Sequence, residues 1–389
     1  LNISKQSKFA EDSILLNVLI VGNGQCGNRI LDAINKQAMN RGSNVKEAGG
    51  GLSKYFSKHQ YQSNVQTIAI NTAINDLKEM RFTKAKDRVH IRNLHGVGAN
   101  RNIGKEVFEQ QKGNILRAIE ERGSFDVAFV ITSASGGTGS SFTPPLIEEI
   151  KKSHNFPVYA FVVLPFREEG TLYLQNAAFM LKELRDGSCD GIILADNQYL
   201  KSIGGNVQEA YDGINSMIAR RILFLLDSLD SEMMMVTDLG DFKTVMSAGA
   251  GLATIGYFKA ENEMPIRTVI QNCLSPRGLL FSTDAYKEGG RAMIILKGDK
   301  KYLSMEEITN EVEKLSGAIG HVFKGIIVEN GSLPEALCVL TLNSAEELES
   351  LYEGAIQAIG MERDSKDRVK KKREMESAFM TIDGMDPEY

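Results

Sequence analysis

Seven residues, Ser135-Gly136-Gly137-Thr138-Gly139-Ser140-Ser141, lie between an apolar run from Asp126 to Thr132 and a helical pattern expected to be opened by Pro144 and Pro145. That order of strand, glycine loop and helix limits the fold sharply. It aims unpaired amide N–H groups and the positive end of a helix dipole at one point, where the natural occupant is a phosphate. Glycines let the backbone come close to such a ligand, and Thr138, Ser140 and Ser141 add hydroxyl donors. No Lys follows at the spacing of the common P-loop, so the phosphate charge must be met by backbone amides and a metal ion.

Around this loop, short apolar runs alternate with helical patterns: Asn17 to Val21 followed by a helix from Gly27, Val65 to Ile70, Asp126 to Thr132, Val158 to Leu164, and Gly191 to Leu194. Such alternation predicts an α/β fold with a Rossmann-like, mainly parallel sheet, binding its ligand at the carboxyl ends of the strands. From Val207 to Leu229, apolar residues recur at steps of three and four, which predicts one long helix with a broad buried face. Strands near Ala292 to Lys297, Val322 to Val328 and Ala336 to Leu342, with a helix capped by Ser304 and Glu307, read as a smaller α+β unit. With 389 residues the chain has length for two cores. The expected division is a nucleotide domain at 1–205, a central helix at 206–229, an α+β domain at 230–362 and a charged tail at 363–389. Residues 40–63, with Gly49-Gly50-Gly51, read as an exposed connection. The basic run from Lys366 to Arg373 reads either as a solvated helix with a frayed end or as a docking segment for a membrane or DNA adaptor.

Composition removes several function classes. A net charge of −5 with 24% charged residues gives no electrostatic reason for direct nucleic-acid binding. Cys26, Cys189, Cys273 and Cys338 are too scattered for a zinc site or a redox pair, and His90 and His95 form no metalloprotease pattern. No metal ligand is therefore assigned to the protein itself. The chain has no apolar run long enough for a transmembrane segment, and a cytoplasmic location is expected.

A second glycine cluster, Gly22-Asn23-Gly24-Gln25-Cys26-Gly27-Asn28, ends the first strand and matches the dinucleotide fingerprint. An NAD-dependent oxidoreductase is thus one reading. It would place an acid at the end of the next strand to hold a ribose hydroxyl, whereas this strand ends Ala69-Ile70-Asn71-Thr72-Ala73. A third loop, His95-Gly96-Val97-Gly98-Ala99-Asn100, favours one mononucleotide whose phosphates are held from several sides.

The segment Gly24-Gln25-Cys26-Gly27-Asn28 is similar to the first nucleotide loop of tubulins, and Gly136-Gly137-Thr138-Gly139-Ser140 resembles the signature loop of the tubulin/FtsZ superfamily. Pro165-Phe166-Arg167-Glu168-Glu169-Gly170, Asp196-Asn197, the long central helix and Asp238-Leu239-Gly240-Asp241 follow in the family's order. Leu164-Pro165, Glu169-Gly170 followed by Asn176-Ala177, and Asp196-Asn197 look most like the archaeal CetZ group. The resemblance implies a GTPase that polymerises head to tail into protofilaments, using GTP, GDP and Mg2+, with a role in cell shape or division. By the same resemblance Gly24, Gln25, Cys26 and Asn28, with the loop from Ser135 through Gly136, Gly137, Thr138 and Gly139 to Ser140, hold the phosphates. Asn71, Gly96, Gly98, Ala99 and Asn100 approach the terminal phosphate, Glu169 holds the ribose, and Asn197, Tyr211 and Asn215 form the base pocket. Asp238 and Asp241 enter the site of the neighbouring subunit and complete hydrolysis; as plain structure, Asp241 instead caps the helix beginning at Phe242. Departures from the family pattern are Ser135 and Ser141 in place of glycines, Ala73 where an Asp often stands, Tyr173 where FtsZ carries Arg, and Val236 in place of Asn. A segregation filament of the TubZ type is the rival within the superfamily.

Overall fold

Alternate residues of the first strand, Val18 and Ile20 against Leu19 and Val21, pack into two separate apolar cores, the pattern of a sheet covered on both faces. The computed structural model describes residues 16–47, 64–93, 97–187, 189–200, 207–229, 238–247 and 251–383. In its first half β1 (Asn17–Asn23), α1 (Gly24–Glu47), β2 (Asn64–Asn71), α2 (Ile74–Glu79), β3 (Arg88–His90) and α3 (Arg101–Glu120) follow one another. Next come β4 (Val127–Ser133), α4 (Gly137–Ser153), β5 (Val158–Leu164), α5 (Thr171–Asp186), β6 (Gly191–Asp196) and the single turn α6 (Asn197–Leu200). The remainder holds α7 (Val207–Leu229), α8 (Leu239–Met246), β7 (Leu252–Lys259), α9 (Ile266–Leu274) and β8 (Gly289–Gly298). It closes with α10 (Met305–Ile319), β9 (Val322–Val328), β10 (Glu335–Leu342) and α11 (Glu346–Asp383).

Among the described residues the strands form one sheet in the order β3-β2-β1-β4-β5-β6-β7-β10-β8-β9. Pairing is parallel from β3 to β7, and β10 runs antiparallel to both β7 and β8. The mainly parallel α/β class expected from sequence is therefore present. Chain direction across the sheet reverses between β1 and β4, the switch point where open sheets of this kind leave a ligand crevice at their carboxyl edge. One face carries α1, α7 and α8; Ile214, Ile218, Ile222 and Leu225 of α7 are buried there at helical spacing. The other face carries α3, α4, α5, α9 and α10, and the first turns of α11 through Leu348 and Leu351.

Four local expectations need correction. α1 starts at Gly24 and continues to Glu47, so residues 40–47 of the supposed connection are helical, while 48–63 lie outside the described residues. β7 escapes the sequence reading because Gly256 interrupts its apolar pattern. A Cβ at that position would stand 2.3 Å from the carbonyl of Cys273, so the close approach of α9 requires glycine. α4 opens at Gly137, and Pro144 and Pro145 lie inside it. Pro144 cannot donate to the carbonyl of Ser140, and the guanidinium of Arg101 takes that carbonyl instead, from Nη2 at 3.0 Å and Nε at 3.3 Å. The fourth correction concerns Asp241 and belongs to the site. The basic run is part of α11, which is helical through Asp383 and stays exposed at Val369 and Met375, with Lys370–Glu374 and Lys372–Glu376 pairs along its surface. Residues 384–389 fall outside the described ones.

Arg101 is almost wholly buried and also meets Glu183 of α5 at 2.8 Å. Arg101→Met removes the guanidinium serving the carbonyl that Pro144 frees and leaves Glu183 paired with Lys105. It is expected to cost about 2–4 kcal/mol, read as a fall in the denaturation midpoint. An unchanged midpoint would show that the freed carbonyl needs no partner.

Candidate functional site

The loops after β1, β3 and β4 touch one another at the carboxyl edge of the sheet. A Cβ on Gly24, which has φ +73, would lie 3.0 Å from the amide nitrogen of Gly139, and one on Gly137 would lie 1.5 Å from the carbonyl oxygen of Gly98. Only glycine permits these approaches. Beside them, a Cβ at Gly98 or Gly136 would meet nothing within 4 Å, so the loops are packed on one side and open on the other. Thr138 shares a 2.8 Å hydroxyl contact with Thr72, and Ser135 one of 3.0 Å with Ser133. Asn176 of α5 was a family marker with no role attached; its amide donates to the carbonyls of Ala99 at 2.9 Å and Ser135 at 3.0 Å, tying two of the loops together. Asn100 caps α3 by accepting from the Asn102 and Ile103 amides. Gly96 lies outside the described residues.

Asp76 on α2, which sequence reasoning did not single out, stands against two of the expected site residues. Its carboxylate takes the amide nitrogens of Gln25 at 3.1 Å and Asn71 at 2.9 Å. A carboxylate only accepts, so both amides turn their nitrogens toward it. Each oxygen of Asp76 accepts one of these amide bonds.

Four buried side-chain polar atoms among the described residues lack a partner, and three of them, Asn23 Oδ1, Asn28 Oδ1 and Ser140 Oγ, sit beneath these loops. Orphans of this kind cluster where a ligand completes the bonding. Asn28 spends its nitrogen on the carbonyl of Ile70 at 3.3 Å. Desolvation pushes the partly buried Cys26 thiol up to about 12.

Farther along the same edge, Glu169 accepts from the Phe166 amide at 3.0 Å, and burial raises its carboxyl above the ordinary Glu range. The ring of Tyr211 meets Phe166 edge-on at 6.0 Å, and burial, then the charge of Glu169, push its phenol upward. Asn197 and Asn215 are both buried. Glycine loops at one end and an aromatic ring with buried amides at the other thus lie along one edge of the sheet, chemistry of the kind a purine nucleotide needs.

Asp238 and Asp241 stand elsewhere. Contrary to the expectation that Asp241 caps a helix beginning at Phe242, α8 begins at Leu239 and Asp238 is its N-cap. Asp238 accepts from the Asp241 amide at 2.9 Å, and Asp241 reaches back to the Asp238 amide at 3.4 Å. Phe242 packs against Tyr159 near the start of β5, and Met246 crowds Gly191, the first residue of β6. α8 therefore lies at the amino edge of the sheet. Strands of six or seven residues separate that edge from the glycine loops by roughly 20 Å, so one subunit cannot bring these acids to its own crevice.

The family model for the GTPase domain of the tubulin/FtsZ family matches residues 17–205. Tubulin-like protein CetZ of Methanothrix thermoacetophila is 53% identical over 378 residues, covering 96% of this chain and 100% of that protein. The chain belongs to the tubulin/FtsZ family. Within it the likeness is to CetZ: CetZ2 of Haloferax volcanii is 28% identical across 81% of this chain and 91% of its own length. The solved structure of CetZ from Methanosaeta thermophila superposes with a TM-score of 0.83 at 52% identity, covering 95% of this chain and 98% of that one. The fold is also that of CetZ2 from Haloferax volcanii in a GTPgS bound protofilament, with a TM-score of 0.75 at 24% identity over 90% of this chain and 100% of the other.

Proposed function

We propose that this CetZ-group chain is a cytoskeletal GTPase whose active sites form between subunits stacked head to tail. The observation that carries the reading is the placement of the glycine loops and the Asp238–Asp241 pair at opposite edges of one sheet. Stacking brings the acid edge of one copy over the crevice of the next. That CetZ2 of Haloferax volcanii, of the same fold, is found as a GTPgS bound protofilament supports assembly.

In this reading Gly136 to Ser140, Gly24 and Gln25 cradle the phosphates, Glu169 takes the ribose, and Tyr211 with Asn197 and Asn215 takes guanine. Asn71, Gly98, Ala99 and Asn100 form the rim nearest the terminal phosphate. Mg2+ would rest on the phosphates, beside the amide of Gln25. When bound, the cation would supply charge stabilisation for the leaving phosphate oxygens. Asp238 and Asp241 each spend one oxygen on the helix cap and keep the other to orient the attacking water. Hydrolysis then removes what held the contact, coupling turnover to assembly.

We assign residues 1–205 to nucleotide binding, 206–229 to the connecting helix and 230–362 to the part that carries the acids. No helix among the described residues is long and apolar enough to cross a membrane. A cytoplasmic filament acting in cell shape or division is the role that fits, with α11 beyond Asp364 free to meet an adaptor. GTP turnover per molecule is expected to rise steeply with protein concentration; a flat rate from dilute to concentrated protein would refute the shared site.

A further inference from the structure

Arg167 joins the two turns that flank the proposed base end of the crevice. Its Nη2 meets Asp196 Oδ2 at 2.7 Å, its Nη1 meets Asp196 Oδ1 at 3.4 Å, and Nη1 also donates to the carbonyl of Pro165 at 3.0 Å. Its backbone amide donates to Gln198 Oε1 at 3.2 Å, and Asp196 Oδ1 accepts the Gln198 amide at 3.0 Å. These bonds close a ring between the loop after β5 and the turn after β6. Asn197 lies inside that ring, directly after Asp196. Glu169 and Phe166 lie on the other loop, bonded to each other, with Phe166 against the Tyr211 ring.

The Asp196 side chain is only 2% exposed, so its charge has no water to fall back on if the guanidinium leaves. Glu347 at the start of α11 reaches the same guanidinium at 3.5 Å, but it is half-exposed and adds little. The planar fork matters, because Arg167 serves both Asp196 oxygens and the Pro165 carbonyl together, which a Lys ammonium cannot match.

We propose that Arg167 is a positioning residue that sets the preference for a guanine over an adenine nucleotide, by locking the turn bearing Asn197 to the loop bearing Glu169. This rests on the GTP reading above. A site built to hydrogen-bond one base rejects another because its buried amides would be left unpaired, and that rejection requires the amides to be held still. Arg167 touches no nucleotide in this account; it acts through Asp196 and Asn197.

The test is equilibrium binding of GDP and of ADP to the full chain and to Arg167→Gln, Arg167→Lys and Glu347→Gln, with thermal denaturation of each. Arg167→Gln is expected to weaken GDP by about tenfold or more while ADP changes little, so that the GDP-to-ADP ratio collapses. Arg167→Lys keeps the charge beside Asp196 and the fold, and is expected to recover only part of that ratio; Glu347→Gln is expected to stay within about twofold of the parent. If both Arg167 variants keep the parental ratio, whatever happens to the denaturation midpoint, Arg167 is an ordinary structural ion pair and the proposal is wrong. If the parent chain binds neither GTP nor GDP, the GTP reading fails and this inference falls with it, a result distinct from a parent that binds and variants that bind equally well.

Discussion

Asp238→Asn and Asp241→Asn are each expected to keep GTP bound and to lose its hydrolysis by about a hundredfold to ten-thousandfold. Asparagine is the informative choice. Asp238 and Asp241 cap α8 reciprocally, and an alanine would remove the cap, at about 1 kcal/mol, together with the carboxylate. Asparagine ranks with aspartate as a cap and retains an acceptor oxygen, so α8 survives while the charge that orients water is gone. Turnover assayed at saturating GTP, beside nucleotide retention on the same samples, separates the two effects. Full turnover in both variants would reduce the pair to a helix cap. Loss of nucleotide along with turnover would place the acids in binding, against their location some 20 Å from the loops by strand length.

The second large effect is expected at Gly137. Its Cβ position lies 1.5 Å from the carbonyl oxygen of Gly98, where real contacts need more than twice that, so Gly137→Ala forces the loops after β3 and β4 apart. Displacing a positioning loop by an ångström or more costs roughly a hundredfold at the bound ligand, and overpacking costs about 1–3 kcal/mol of stability. Both losses are read on one variant, by GTP titration and by denaturation. Gly113 in α3 provides the control, since a Cβ there meets nothing within 4 Å. Gly113→Ala is expected to leave GTP affinity unchanged and to stabilise the helix slightly. Equal behaviour of Gly113→Ala and Gly137→Ala would remove the close loop contact from the account.

Sequence made the first half of the fold legible because its strands are continuous apolar runs and its loops are glycine-rich; both signals are local. β7 was not legible, because the reason for Gly256 lies in α9, a neighbour brought in by the tertiary fold. The start of α4 was misplaced for a related reason. Proline normally marks a helix's first turn, and inside α4 the carbonyl that Pro144 frees is taken by Arg101, distant in sequence. Within the site, family resemblance named Gln25 and Asn71, but nothing along the chain reveals that Asp76 turns both amides, or that Asn176 and Arg167 tie loops together. Such roles are properties of side chains meeting across loops. The opposite placement of loops and acids, implied beforehand by the resemblance alone, rests physically on β6 and β7 running parallel with α8 at their amino edge.

Mixing two inactive variants tests the shared site most directly. Gly137→Ala spoils the crevice and leaves the acid edge intact, whereas Asp241→Asn spoils the acid edge and leaves the crevice intact. When they are combined, contacts that pair the good crevice of one with the good acids of the other should hydrolyse GTP, so the mixture is expected to turn over GTP well above the sum of its parts. A mixture that co-sediments in one filament yet remains as inactive as either variant alone would contradict a site divided between neighbouring subunits.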